Sequence, residues 1–234
     1  MKKIGIIGGA SAESTIDYYK YITTEYIKKY GDYAYPQILI NSISFQKYVD
    51  FMKKNDFYSL SELLLNEGLR LQNAGADFII IATNTFHLFI EELRGQLSIP
   101  ILSIIDSVKK EIQKDNLKKV ALLGTKLTMD FNLYGEKCKE NNIDVLVPDE
   151  ADKKSIDKII FNELTKGLVK SESKKVFINI IDKMKSMGAQ GVILGCTEIP
   201  MLIKNNDTDL NVYDTTFIHA MDALNYSLSD PSSN

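Results

Sequence analysis

Short apolar runs alternate along this chain with longer stretches whose apolar positions recur at helical spacing. KKIGIIGG at 2–9, Ile38 to Ile43, Phe78 to Ala82, IPILSII at 99–105, KKVALLGT at 118–125, Val145 to Pro148, VILGC at 192–196 and LNVYD at 210–214 have the length and β-branching of strands. Between them, Ser14 to Tyr30, Leu60 to Ala74, Lys154 to Leu168, Phe177 to Met187 and Phe217 to Leu224 read as helices, and a further helix follows Thr125. Gly75 and Gly188 each stand where a helix should stop, and Pro100 stands near a strand start, where a missing N–H is tolerated. Strand and helix in turn predict an α/β fold with mostly parallel sheets.

The pattern then runs a second time. KKVALLGT matches KKIGIIGG in length, charge and glycine placement, and NAGADFIIIATNTFH aligns with SMGAQGVILGCTEIP over a shared GAxxxI core. The second alignment holds a constant offset of 113 (188 − 75 and 196 − 83), which pairs Thr83 with Cys196 and Asn84 with Thr197. This is the signature of one unit used twice. It predicts two pseudo-symmetric Rossmann-like domains, each with a mostly parallel sheet flanked by helices and with the active site in a cleft between them. The first domain is expected at 1–101, completed by 209–234 as the last strand and helix return to it. The second is expected at 102–208.

Composition narrows the class. The 234 residues are 44% hydrophobic, and 28 basic against 31 acidic residues leave a formal charge of -3 with both signs interspersed. Neither a nucleic-acid footprint nor a membrane-binding face is implied. Two cysteines argue against a disulfide framework and fit a reducing compartment. No run approaches 18 uninterrupted apolar residues, and the apolar stretch of MKKIGIIGG reaches glycines at once, so a cytoplasmic protein is expected.

The chemistry gathers where strands run out. ATNTFH at 82–87 places Thr, Asn, Thr and His after FIII, where open α/β sheets hold their ligands. On the opposite wall of the expected cleft, Cys196 takes the place that Thr83 takes on the first. Symmetric walls suit a planar carbanion at a stereocentre, one wall removing the proton and the other returning it. A thiol with a reference pKa near ~8.5 needs only a modest shift to act as a base at neutral pH. Cys196 could instead be a small buried hydrophobe, a reading that the polar TE after it weakens. GIIGGASAES lacks the third glycine of a dinucleotide fingerprint, and no P-loop lysine follows a glycine. His87 and His219 are far apart with no Cys/His/Asp cluster, so no metal is implied; Cys138 reads as structural, and Asp106 and Asp214 as helix caps.

GGASAESTIDYY, ATNTFH, LGT followed by Thr128, NEL before Gly167 and GCTEIPML together resemble the cofactor-independent aspartate/glutamate racemase family over essentially the whole chain. The resemblance implies a homodimer of two-domain subunits that interconverts L- and D-amino acids without pyridoxal phosphate, metal or other cofactor, on a pair of cysteine bases. The family's CNT and GCTE motifs put its second cysteine on Cys196 and its first on Thr83. Groups that hold the substrate's carboxylates fall on Ser11, Asn84, Thr85, Thr125 and Thr197. A lysine that neutralises the distal carboxylate falls on Lys166, and the family's arginine after the second strand has no counterpart, leaving Gln46 or Lys47 to stand in.

Thr83 is the departure from that pattern. An alcohol is about as weak an acid as water, ~15.7 against ~8.5 for a thiol, a gap of roughly 10 kcal/mol. Thr83 cannot wait as an alkoxide, but it can give a proton to a strongly basic carbanion, directly or through a water it orients. The expected partner is therefore a small acidic amino acid, L-aspartate or L-glutamate, with Cys196 removing the α-proton and with weak action on the D-enantiomers. Two alternatives stay open: a single-cysteine decarboxylase of the same superfamily, resembling arylmalonate decarboxylase, and a degenerate racemase kept as an acidic amino-acid binding protein.

Overall fold

The computed structural model describes residues 1–229 and divides into two compact units, one of Met1–Ile104 together with the chain from His219 onward, the other of Ile105–Ile218. In the first unit the elements are β1 (Ile4–Gly8), α1 (Ala12–Tyr30), β2 (Ile38–Ser42), α2 (Phe45–Lys54), α3 (Phe57–Asn73), β3 (Phe78–Ile81), α4 (Ile90–Gln96) and β4 (Ile101–Leu102). The second runs through α5 (Ile104–Lys114), β5 (Lys119–Gly124), α6 (Lys126–Asp130), α7 (Gly135–Lys139), β6 (Asp144–Leu146), α8 (Glu150–Asn162), α9 (Ser171–Ser186), β7 (Gly191–Gly195) and β8 (Asn211–Asp214). The helix α10 (Thr215–Leu228) follows β8 and from His219 belongs to the first unit.

Both sheets are four-stranded and parallel, in the orders β2-β1-β3-β4 and β6-β5-β7-β8, so the duplication read from the sequence is a duplication of topology. The central strands β1, β3 and β7 are buried at every position, which is why their sequences are continuous apolar runs rather than alternating ones. The two-residue period survives in the packing of the first sheet. Ile4, Ile6, Phe78, Ile80 and Ala82 pack on one face with Tyr18 and Ile22 of α1 and Ala220 and Ala223 of α10, while Ile7, Ile79 and Ile81 face Leu60, Leu64 and Leu71 of α3.

Several expectations change. The strand read over 99–105 is only Ile101–Leu102, and α5 begins at Ile104. Ile104, Val108 and Ile112 are fully buried at a spacing of four, so the second isoleucine pair of IPILSII belongs to a helical stripe rather than to the sheet. The segment after the second strand, for which no helix was expected, forms α2 with Ser44 at its N-cap position. The helix expected at 154–168 starts earlier, at Glu150, capped by Asp149, whose side chain accepts from the N–H groups of Ala151 and Asp152, and ends at Asn162; a 3-10 turn, Leu164–Lys166, follows.

The expected boundaries 1–101 with 209–234, and 102–208, also shift. β8 pairs with β7 in the second sheet and does not return to the first; the helix after it does. Each sheet thus keeps its own fourth strand, and the chain changes unit at the start of the helix that follows. Residues 230–234 of that expectation lie outside the described residues.

Candidate active site

Each unit carries its polar groups at the carboxyl ends of its strands. In the first, the turn after β1 is compact because Gly9 has φ +91°, and a Cβ there would collide with the backbone of Ile43. Ser11 caps α1, its hydroxyl accepting from Ser14 N–H at 3.4 Å, and Thr15 Oγ1 accepts from Gly9 N–H at 2.8 Å. Ser14 Oγ then donates to the carbonyl of Ala82 at 2.7 Å, tying the start of α1 to the end of β3.

Thr83 follows Ala82 there, half-buried, with its N–H on Ile81 O at 2.8 Å. Its hydroxyl makes no hydrogen bond among the described residues, whereas Asn84 and Thr85 are buried. His87 sits beneath this turn. Its Nε2 accepts from the N–H of Ile104 at 3.0 Å, so Nδ1 carries the proton and donates to Thr83 O at 2.9 Å. His219 holds the opposite tautomer: Nε2 donates to Leu102 O at 3.1 Å, and Nδ1 accepts from Tyr18 OH at 2.8 Å. The rings lie edge to face at 5.9 Å. Burial, with the neighbouring His219, pushes His87 down to about 3, and burial pushes His219 down to about 4. All four ring nitrogens are thus engaged, and among the described residues no three His, Cys, Asp or Glu side chains gather to hold a metal ion.

Gln46 and Lys47 follow β2 as exposed residues of α2. Gln46 Nε2 donates to Asp50 at 2.8 Å, and Lys47 makes no ion pair among the described residues.

In the second unit, Gly124 and Gly195 lie side by side at the ends of β5 and β7. A Cβ on Gly124 would stand 2.9 Å from the carbonyl oxygen of Gly195, so the two strands deliver Thr125 and Cys196 from backbones in near contact. Thr125 caps α6, its hydroxyl 3.0 Å from that of Thr128, and Asp157 of α8 accepts from Lys126 N–H at 2.7 Å. Cys196 is 8% exposed, and its thiol donates to Glu198 Oε2 at 2.9 Å; the hydroxyl of Thr197 donates to the same oxygen, also at 2.9 Å.

Burial first, then the Glu198 carboxylate, holds the Cys196 thiol well above its ordinary range. This reverses the expectation of a thiol poised near neutrality: in the free protein it keeps its proton. Glu198 was passed over in the sequence as part of the polar stretch after the cysteine. The available signal was its spacing, since a carboxylate two residues beyond a strand-end thiol can turn back onto it.

Lys166 is exposed at the tip of the α8–α9 hairpin, with no ion pair among the described residues. Asp152 at the start of α8 pairs with Lys183 at the end of α9, and Glu163 pairs with Lys170 just before α9, so these helices are antiparallel. Since α9 leads down into the start of β7, its own start, with Lys166, lies toward the end of the sheet where Cys196 emerges.

Comparison with known proteins agrees with this architecture. A broad specificity amino-acid racemase, RacX, of Bacillus subtilis is 31% identical over 149 residues, which are 62% of this chain and 64% of that protein; the match thus spans less than two thirds of the relative. Two solved structures cover 98% of this chain and 100% of their own: an aspartate racemase homologue from Pyrococcus horikoshii OT3 (TM-score 0.86, 38% identity) and a protein from Yersinia pestis assigned as an Asp/Glu racemase (TM-score 0.91, 34% identity). The family model for Asp/Glu/Hydantoin racemase matches residues 7–223, and the chain belongs to that family.

Proposed function

We propose that the protein racemises an acidic amino acid, L-aspartate or L-glutamate, with Cys196 as the base and Thr83, directly or through a water, as the proton donor on the other face. The observation that carries this reading is the Cys196 thiol lying on Glu198 Oε2 just after β7, the strand equivalent to β3, which Thr83 follows. Glu198 takes the thiol proton, and the thiolate takes the substrate's α-proton. The electron pair left on Cα delocalises into the adjacent carboxylate. Thr83 or its water then supplies a proton from the opposite side, and solvent restores the proton that Thr83 has given and removes the one that Glu198 has gained.

The substrate class follows from the same edges. Ser11, Asn84, Thr85, Thr125 and Thr197 offer neutral hydroxyl and amide groups to an α-carboxylate, and Lys166, with Lys47 and Gln46, offers charge to a second one. One methylene separates aspartate from glutamate, worth only ~1–3 kcal/mol, so both are expected to turn over. The names of the Pyrococcus and Bacillus relatives, which act on or resemble enzymes acting on amino acids, support the class. The test is α-proton exchange in deuterated water with L- and D-aspartate and glutamate, for the wild type and Cys196→Ala. Exchange that is absent from the wild type, or that persists undiminished in Cys196→Ala, would overturn the reading.

A further inference from the structure

Hydrogen-bonded histidines in a core are common, but these two sit at particular places in the chain. Ile104 is where the chain leaves the first unit, His219 is where it returns, Leu102 ends β4, and Thr83 lies in the turn just after the neighbouring strand β3. His87 is bonded to two of these points at once, through different nitrogens, and its ring meets His219. We propose that His87 is a positioning residue for the reaction: it fixes the Thr83 carbonyl, and so the direction in which the Thr83 hydroxyl leaves the strand end. This rests on the racemase reading above.

The geometry gives the proposal its force. Thr83 hangs from a short turn, so a displaced carbonyl carries the side chain with it, and a 1 Å misplacement of a reacting group can cost about 10²-fold in rate. A weak acid such as a hydroxyl has no driving force to spare for poor aim. His87 is neutral and locked: accepting from Ile104 fixes the tautomer that donates to Thr83, and the second bond is secured by the first. His219 closes the ring from the other side, buried between Tyr18 and Leu102.

The two bonds can be cut separately, because side-chain amides reach the two nitrogen positions one at a time. Asn at position 87 places an N–H where Nδ1 stands, whereas Gln places its amide where Nε2 stands. Both lose the ring's packing, so a purely structural role would lower turnover in both alike. A positioning role predicts that His87→Asn keeps inversion within about threefold of wild type, while His87→Gln loses roughly 10²-fold in kcat for inversion with KM little changed. Deuterium uptake with retention at the Cys196 face should persist in both. Equal inversion by His87→Gln and wild type, or equal loss in both variants, would overturn the proposal.

A second readout needs no activity. The chain has two histidines. Nitrogen-15 spectra of the labelled wild type should show one ring protonated at Nδ1 and the other at Nε2, with neither titrating near 6.5. Two rings of one tautomer, or a His87 that titrates in the ordinary range, would refute the geometry on which the proposal stands. A wild type without α-proton exchange would instead sink the racemase reading and the positioning role with it, while leaving the tautomer result as a separate fact.

Discussion

Cys196 and Glu198 form a buried thiol–carboxylate pair at a strand end, Sγ to Oε2 at 2.9 Å. The pairing stabilises the protonated thiol and opposes the thiolate, which raises the cost of making the base while keeping a proton acceptor in contact with it. Glu198→Gln separates these effects. The amide removes the negative charge that raises the thiol, so the pH profile of alkylation by iodoacetamide should move to lower pH. Turnover should nonetheless fall by roughly 10²-fold or more, because the acceptor for the thiol proton is gone. Alkylation and turnover moving together would argue against a proton-accepting role for Glu198.

Thr83→Cys should raise racemisation. Thiol for hydroxyl is nearly isosteric and replaces a group of reference pKa ~15.7 with one near ~8.5. Enantiomers have equal free energy, so kcat/KM from the L and D sides must rise by the same factor along one reversible path. Initial rates by chiral chromatography in both directions check this. No gain in either direction would argue against Thr83 as the proton donor.

Thr83→Ala should split the two steps. Cys196 can still remove and return a proton on its own face, so deuterium enters the L-substrate with retention while inversion falls, by about 10-fold or more if the hydroxyl itself is the donor. Mass spectrometry of each separated enantiomer over time gives both rates. Inversion unchanged in this variant would move the donor role away from Thr83.

How much of this was legible in the sequence depended on whether the signal was local. The runs FIII and VILG announce strands because parallel strands are covered on both faces, and the GAxxxI register exposed the duplication that the identical strand orders now display. IPILSII misled because a buried helical first turn and a buried strand both read as isoleucines, and only Val108 and Ile112 farther on decide between them. The return of β8 was misplaced for another reason: pairing with β7 is a long-range contact that no local pattern carries. Aligning the two halves pairs Thr83 with Cys196, each just beyond the end of an equivalent strand. The raised thiol could not be read in this way, since its cause is burial, nor could the bond between His87 and Thr83, which depends on Ile104 arriving at the other nitrogen.

Gly124→Ala is expected to destabilise the second unit. Its Cβ would stand 2.9 Å from the carbonyl oxygen of Gly195 and 3.2 Å from its carbonyl carbon, and backbone cannot swing aside as a side-chain tip can. A cost of about 1–3 kcal/mol is expected, together with displacement of Thr125 and Cys196. Urea unfolding should show a lower midpoint at unchanged slope. An unaffected midpoint would mean that the ends of β5 and β7 part more readily than their register implies.

The buried histidines set how stability responds to acid. His87 and His219 are held down to about 3 and about 4, against 6.5 in the unfolded chain. Between those values the unfolded state binds protons that the folded state refuses, so stability falls as pH drops. It is fully present above about 6.5, and each histidine should remove ~1.4 kcal/mol per pH unit below it until its own folded value is reached. Burial comes first among the causes that oppose protonation of His87; His219 from α10 and Arg94 from α4 add positive charge, and Ile104 N–H would meet a second donor on Nε2, and together these outweigh the backbone carbonyls of Thr83 and Asn84, which favour the charged ring. Carboxylates held low by lysines, such as Asp130 and Glu150, enter only at more acid pH and leave the upper part of the window to the histidines. Urea unfolding from pH 7 to 4.5 should therefore give a slope that His87→Gln reduces by about half, since one of the two titrating groups has been removed. If the variant kept the full wild-type slope, His87 would have to be charged in the folded protein, and its Nε2 could not accept from Ile104 N–H.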